Sequence, residues 1–125
     1  MSHLVDTDVL VDHIRKAQGA ADYLDSLGTW SYSVITAMEL FAGAENKKEV
    51  HRLEKFLRDF REIRLSADIG SKGREIMMTY SKSDGIEPMD ALIAATAITE
   101  GLTLSTRNKK HFRAIRDLDL EVPRY

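Results

Sequence analysis

A chain of 125 residues, 43% of them hydrophobic, has the length of one ordinary domain and can bury a core without covalent staples. The absence of cysteine excludes a disulfide framework and thiolate metal sites, and no apolar run approaches the roughly 20 residues that span a bilayer. Eighteen basic against twenty acidic residues give a net charge of −2, so the chain lacks the overall basic balance common in nucleic-acid binders and any phosphate contact must come from a local patch. The first residues carry no basic segment followed by an apolar stretch, which reads as no signal peptide and a cytoplasmic protein.

In chain order, His3-Leu4-Val5 reads as a short buried strand ending at Asp6. Val9, Leu10 and Ile14 then fall at helical spacing, and residues 17–27 form a second helical stretch closed by Gly28. Trp30 to Ile35 is aromatic and β-branched, hence a strand. Residues 36–44 are helical, as are residues 47–60, where Val50, Leu53, Phe56, Leu57 and Phe60 share one face. A brief strand is expected at 63–65. A helix follows over 68–83 with Ile69, Gly73, Ile76, Met77 and Tyr80 inward, ended by the Asp84-Gly85 turn. Residues 88–100 are a strongly apolar helix stopped by Gly101. A strand at 102–105, a short helix at 108–112 and an edge strand at 120–122 complete the chain. Strands alternating with helices argue one α/β domain, residues 1–125, with a mainly parallel central sheet flanked by helices. Ligands of such sheets sit at the carboxyl ends of the strands.

The acids collect at that edge. Asp6, Thr7 and Asp8 follow the first strand, Glu39 opens the helix after the second, and Asp90 lies in the first turn of the Pro88 helix. Thr106, Arg107 and Asn108 follow the 102–105 strand. Each acid has a local explanation: Thr36-Ala37-Met38-Glu39 matches a capping box, Asp90 complements a helix dipole, and Asp6 or Asp8 can cap the first helix. Gathered on one edge, they would repel unless a cation or shared protons intervene. Oxygen donors without sulfur suit a hard cation, magnesium or manganese. Residues 107–116 hold five Lys or Arg and no acid, either a solvated surface or a phosphate-binding patch.

Four segments together, in order and over nearly the whole chain, resemble the PIN-domain ribonucleases, in particular the VapC-type toxins of prokaryotic toxin–antitoxin pairs. They are Leu4-Val5-Asp6-Thr7-Asp8-Val9-Leu10, Ile35-Thr36-Ala37-Met38-Glu39-Leu40 with Gly43, Asp90 to Ala97, and Ser105-Thr106-Arg107-Asn108 with His111-Phe112. The resemblance implies a three-layer PIN-like α/β fold and a Mg2+-dependent (or Mn2+-dependent) endoribonuclease. It places Asp6, Glu39 and Asp90 in the metal site and Asn108 at the fourth catalytic position, where many members carry Asp. Asp8 stands where Asn or Ser is frequent and offers a further carboxylate as a metal ligand. Thr7 and Thr106 would hydrogen-bond the acids, while Arg107, Lys109, Lys110 and Arg113 would meet the RNA backbone. His111 replaces an acid that precedes the Phe in many relatives.

The same resemblance implies a cognate antitoxin and a homodimer. Ile14, Leu40 and Phe41 are candidates for the antitoxin groove, although apolar residues at helical spacing are as a rule core. Two other readings compete. Asp6-Thr7-Asp8-Val9 also fits the signature of haloacid-dehalogenase-like phosphatases, but Thr106-Arg107-Asn108 stands where those need a late acidic pair. A non-catalytic PIN-like domain that only binds RNA or a partner is the other.

Overall fold

Successive side chains of a strand point to opposite faces of a sheet. Leu4 and Val5 are both fully buried and enter two different hydrophobic clusters, so their strand is covered on both sides. The computed structural model describes residues 2–125; Met1, which the one-domain reading includes, lies outside the described residues. The strands β1 (His3–Val5), β2 (Ser31–Ser33), β3 (Arg61–Ile63), β4 (Thr103–Ser105) and β5 (Leu120–Glu121) join one sheet in the order β3-β2-β1-β4-β5. All pairings are parallel. Around them pack α1 (Thr7–Ile14), α2 (Ala20–Leu27), α3 (Val34–Ala42), α4 (Lys47–Leu57), α5 (Ala67–Asp84), α6 (Pro88–Glu100) and α7 (Lys109–Phe112). This is the three-layer α/β arrangement expected from the alternation of elements. A parallel sheet needs helical crossovers, and those crossovers cover both of its faces.

One cluster joins Leu4, Leu104 and Phe112 to α5 and α6 through Ile69, Ile76 and Ile93. The other joins Val5 to Val9, Leu10, Trp30, Leu53 and Leu57 of the opposite layer. Strand order reverses at β1, which lies between β2 and β4. The crevice beyond the carboxyl ends of β1 and β4 is therefore the topological switch point, where open α/β sheets bind ligands. Asp6 and Thr106 are the first residues past those two ends.

Several boundaries differ from the sequence expectation. The strand expected to run to Ile35 ends at Ser33, and Val34 already opens α3. Ser33 is the reason: its hydroxyl accepts the Ile35 N–H at 3.0 Å, an N-cap that outweighs the β-propensity of Val34 and Ile35. Because Ser33 fills the cap, the capping-box reading of Thr36 and Glu39 fails. Thr36 lies fully buried inside the helix, and the Glu39 carboxylate turns instead to Thr7. The strand expected at 63–65 lies at Arg61–Ile63 because Ser33, the last residue of β2, pairs with Ile63; Arg64 and Leu65 have no strand beside them. Residues 17–19 form a turn ahead of α2 rather than its first turn, and α4 stops at Leu57. The helix over 88–100 has the expected bounds, with Pro88 in its first turn and Gly101 in the left-handed region after its end.

Gly19 marks the junction of α2 with the C-terminal residues. Its φ of +89° suits glycine, and a Cβ placed there would lie 2.5 Å from Cβ of Tyr125. Both the backbone strain and the collision oppose a side chain. Gly19→Ala is expected to lower unfolding free energy by about 1–3 kcal/mol, read as a fall in urea midpoint at constant m-value. An unchanged midpoint would mean that Tyr125 does not pack there.

Candidate active site

Asp6 is the N-cap of α1 and is almost wholly buried. Its Oδ1 accepts the Thr7 N–H at 2.8 Å, and its Oδ2 accepts the hydroxyl of buried Thr106 at 2.8 Å. The Asp6 N–H continues the sheet by donating to the Ser105 carbonyl at 2.9 Å. Asp6 is thus fixed at main chain and side chain between the ends of β1 and β4. Burial, followed by the neighbouring Asp8 charge, pushes its pKa up to about 7; Asp90 adds a smaller push in the same direction. The hydrogen bonds from Thr106 and Thr7 oppose these effects but do not cancel them.

Asp8 sits two residues further, in the first turn of α1. Its Oδ2 accepts the Arg107 main-chain N–H at 3.0 Å and lies 3.5 Å from the Thr106 hydroxyl. Its Oδ1 is buried without any hydrogen-bond partner. Burial raises the Asp8 pKa, while the Arg107 N–H works against the rise. Asp90 occupies the third position of α6, half-buried, and His111 Nδ1 lies 3.3 Å from its Oδ2. Burial raises Asp90 too, and His111 draws it back.

Glu39 is tied to this group by one intermediary. The Thr7 hydroxyl lies 2.6 Å from Glu39 Oε1 and 3.0 Å from the Thr36 hydroxyl. A hydroxyl has one proton, so it donates to the carboxylate, and the Thr36 hydroxyl can donate to it in turn. Glu39 is otherwise exposed. Asn108 caps α7 through its carbonyl, which accepts the His111 N–H at 2.9 Å; its own N–H donates to the Thr106 hydroxyl at 3.0 Å. The Asn108 side chain makes no cap hydrogen bond and is exposed.

Among the described residues, no three His, Cys, Asp or Glu side chains converge as a ready cation cage. The donors are nevertheless of the type a hard cation takes. Asp6, Asp8 and Asp90 supply carboxylate oxygens, the first feels the charge of the other two, and Asp8 leaves a buried oxygen orphaned. Magnesium commonly uses one or two carboxylates and keeps several waters, so a fully convergent protein cage is not required. The residues present fit such an ion, and the orphaned oxygen of Asp8 is where protein partners run short.

The basic segment is divided by the structure. Lys109, Lys110 and Arg113 are exposed. Arg107 is pinned: its guanidinium pairs with Asp12 at 3.1 Å and lies 4.9 Å from the Tyr125 ring centre, and Tyr125 donates its hydroxyl to the same Asp12 oxygen at 2.7 Å. Asp12, Tyr125 and His111 had no assigned role in the sequence reading. Asp12 lies one helical turn beyond Asp8, a spacing that could have signalled a shared face; nothing local marks Tyr125. Of the apolar candidates, Leu40 is core, as ordinary packing would have it, while Ile14 is 37% exposed. Ile14, Leu40, Val11 and Leu53 line a ≈130 Å³ cleft whose rim includes Glu39.

The PIN domain family model matches residues 3–118. The chain belongs to the PIN-domain family. Among curated relatives of this PIN-domain chain, Ribonuclease VapC1 of Methanocaldococcus jannaschii is 34% identical over 127 residues, covering 95% of this chain and 85% of that protein. Ribonuclease VapC10 of Mycobacterium tuberculosis is 36% identical over 121 residues, covering 92% and 89%. The fold superposes on a toxin–antitoxin complex from Klebsiella pneumoniae with a TM-score of 0.84 and 30% identity, covering 98% of both chains. VapBC2 from Rickettsia felis, solved with a DNA fragment from its promoter, gives a TM-score of 0.84 at 29% identity, covering 97% of this chain and 98% of that one. PIN-domain membership displaces the haloacid-dehalogenase-like reading, which rested on Asp6-Thr7-Asp8-Val9 alone.

Proposed function

We propose that this PIN-domain chain is a Mg2+-dependent endoribonuclease of the VapC type, the toxin of a toxin–antitoxin pair. The observation that carries the reading is the buried carboxylate group centred on Asp6, in a chain whose relatives are named ribonucleases along almost its full length. Asp6, Asp8 and Asp90 are the residues that would hold the ion, with Glu39 reached through Thr7. When bound, a divalent cation acidifies water and neutralises charge developing on the phosphodiester. The protein's own part is to hold the acids: Thr106 fixes Asp6, the Arg107 N–H fixes Asp8, and Thr7 fixes Glu39. Exposed Lys109, Lys110 and Arg113 would meet RNA phosphates beside an acidic pocket that otherwise repels them. The Arg107 guanidinium, held by Asp12 and Tyr125, is less free for that task.

We include in this reading one functional unit over residues 1–125, a cytoplasmic setting, a second copy of the chain and a cognate antitoxin. Solved relatives titled as toxin–antitoxin and VapBC complexes support the antitoxin partner. No helix among the described residues is long and apolar enough to cross a membrane. The test is incubation of single-stranded and structured RNAs with the protein in Mg2+ or Mn2+, beside EDTA and Asp90→Asn controls. Cleavage that requires the cation and disappears in the variant is the expected result. Cleavage that survives EDTA would overturn metal dependence. A well-folded wild type without cleavage on any RNA would favour a domain that only binds.

A further inference from the structure

The segment after β4 touches three of the four acids in turn. Thr106 donates to Asp6 at 2.8 Å, the Arg107 N–H donates to Asp8 at 3.0 Å, and His111 meets Asp90 at 3.3 Å. The first two contacts come from residues next to the sheet, whose place the β1–β4 pairing fixes. The third comes from α7 and needs its own anchor. Phe112, fully buried in the cluster that also contains α6 residues Ile93, Ala94 and Ala97, supplies it. The Asn108 carbonyl holds the His111 N–H at 2.9 Å. The His111 backbone is therefore fixed on both sides, although half of its side chain is open to solvent.

Asp90 lacks the other supports. Asp6 has two hydrogen bonds to its carboxylate and Asp8 has the Arg107 N–H. Among the described residues, His111 is the side chain that reaches the Asp90 carboxylate, its Nδ1 lying 3.3 Å from Oδ2. A carboxylate at the start of a helix otherwise turns about its side-chain torsions at little cost. Carboxylates that hold metals are in turn hydrogen-bonded, and losing such a partner costs metal affinity.

We propose that His111 is a positioning residue for Asp90: its ring nitrogen, 3.3 Å from Oδ2, restrains the carboxylate, whose other oxygen would then be available to a divalent cation held with Asp6 and Asp8. The inference rests on the metal-dependent reading above and adds a role for a side chain that the reading leaves unused. An acid there would add to the charge at the site; a histidine supplies a donor instead. The ring need not bind the ion or touch RNA to do this.

The test uses the full chain with His111→Ala and His111→Asn, since an asparagine amide can place a donor near the position of Nδ1. Mn2+ affinity is measured by calorimetry and RNA cleavage is followed in parallel. His111→Ala should weaken Mn2+ binding by about tenfold and lower kcat, with KM for RNA and thermal midpoint unchanged. His111→Asn should recover most of the affinity, and in an Asp90→Asn background His111→Ala should have no further effect. Unchanged Mn2+ affinity in His111→Ala would overturn the proposal. So would an equal loss in both variants accompanied by a lower thermal midpoint, because that reports damage to α7 rather than aim. If wild-type protein binds no divalent ion, the metal-dependent reading fails by itself. The contact is then judged in metal-free protein from the carboxyl carbon resonance of Asp90: a change on His111→Ala confined to Asp90 supports the positioning role, and an unmoved resonance overturns it.

Discussion

Asp6→Asn should abolish metal-dependent RNA cleavage while making the metal-free protein harder to unfold at pH 8. The two effects have one origin. Asp6 is held almost without solvent between Asp8 and Asp90, and its carboxyl is pushed up to about 7 by that burial and those charges. At pH 8 the group is nevertheless ionised, so the fold carries a disfavoured charge. Asparagine keeps an oxygen to accept the Thr7 N–H and an amide to face the Thr106 hydroxyl, which can accept as well as donate. The cap and the β1–β4 tie survive and the charge goes. Cleavage should fall by about 10²-fold or more, the scale on which losing a preorganised electrostatic group acts. The thermal midpoint in EDTA should rise, each kcal/mol recovered being worth about 4 °C in a chain of this size. Scanning calorimetry and a single-turnover cleavage assay read the two arms separately. A variant that cleaves like wild type would remove Asp6 from the chemistry; one that unfolds earlier would show the carboxylate to be structural.

A second large effect is expected from pH. In the unfolded chain Asp6 has the ordinary value of 3.8, and in the metal-free fold it lies near 7. Between these values the native state holds a proton that the unfolded state has released. Stability from this group is therefore fully present below 3.8 and is lost as pH rises through about 7. Burial shifts Asp8 and Asp90 in the same direction. Metal-free protein should thus have a higher midpoint at pH 5 than at pH 8, and saturating Mn2+ should narrow or reverse the difference, since ligation favours the ionised acids. Binding must displace the Asp6 proton, so Mn2+ affinity should fall about tenfold for each pH unit below 7. Calorimetric titrations at three pH values with EDTA-treated protein measure both. A flat affinity between pH 5 and 8 would exclude Asp6 as a ligand.

Much of the architecture was legible because its signals are local and agree with one another. Pro88 and Gly101 bracket α6, and the alternation of short apolar runs with helical stretches announces a covered parallel sheet. The misreadings arose where one hydrogen bond decided between two reasonable local structures. Val34 and Ile35 favour a strand by side-chain type, yet Ser33 turns them into the first turn of a helix. Thr36 and Glu39 fit a capping box by spacing, but a cap needs an open helix end, and that end lies three residues earlier. That Asp8 and Asp90 lie near enough to Asp6 to act on its charge was readable from strand ends. Their individual supports were not, because the partners lie far along the chain: Thr106 for Asp6, the Arg107 main chain for Asp8, His111 for Asp90. A main-chain donor leaves no residue-type signature at all. Tyr125 over Arg107 is likewise a contact between chain segments that no local pattern connects.

The pairing of β1 with β4 sets an order of events for a growing chain. The first strand emerges at once, but the partner that places Thr106 against Asp6 comes 100 residues later. At the roughly 5–20 residues per second of protein synthesis, that separation lasts on the order of 5–20 s. Throughout that interval Asp6 lacks the Thr106 hydroxyl and Asp8 lacks the Arg107 N–H, and Asp90 arrives before His111. A nascent chain of this protein therefore carries no assembled acid cluster. Whatever chemistry the finished site performs is withheld from the ribosome and transcript that produce it until translation of the chain is almost complete.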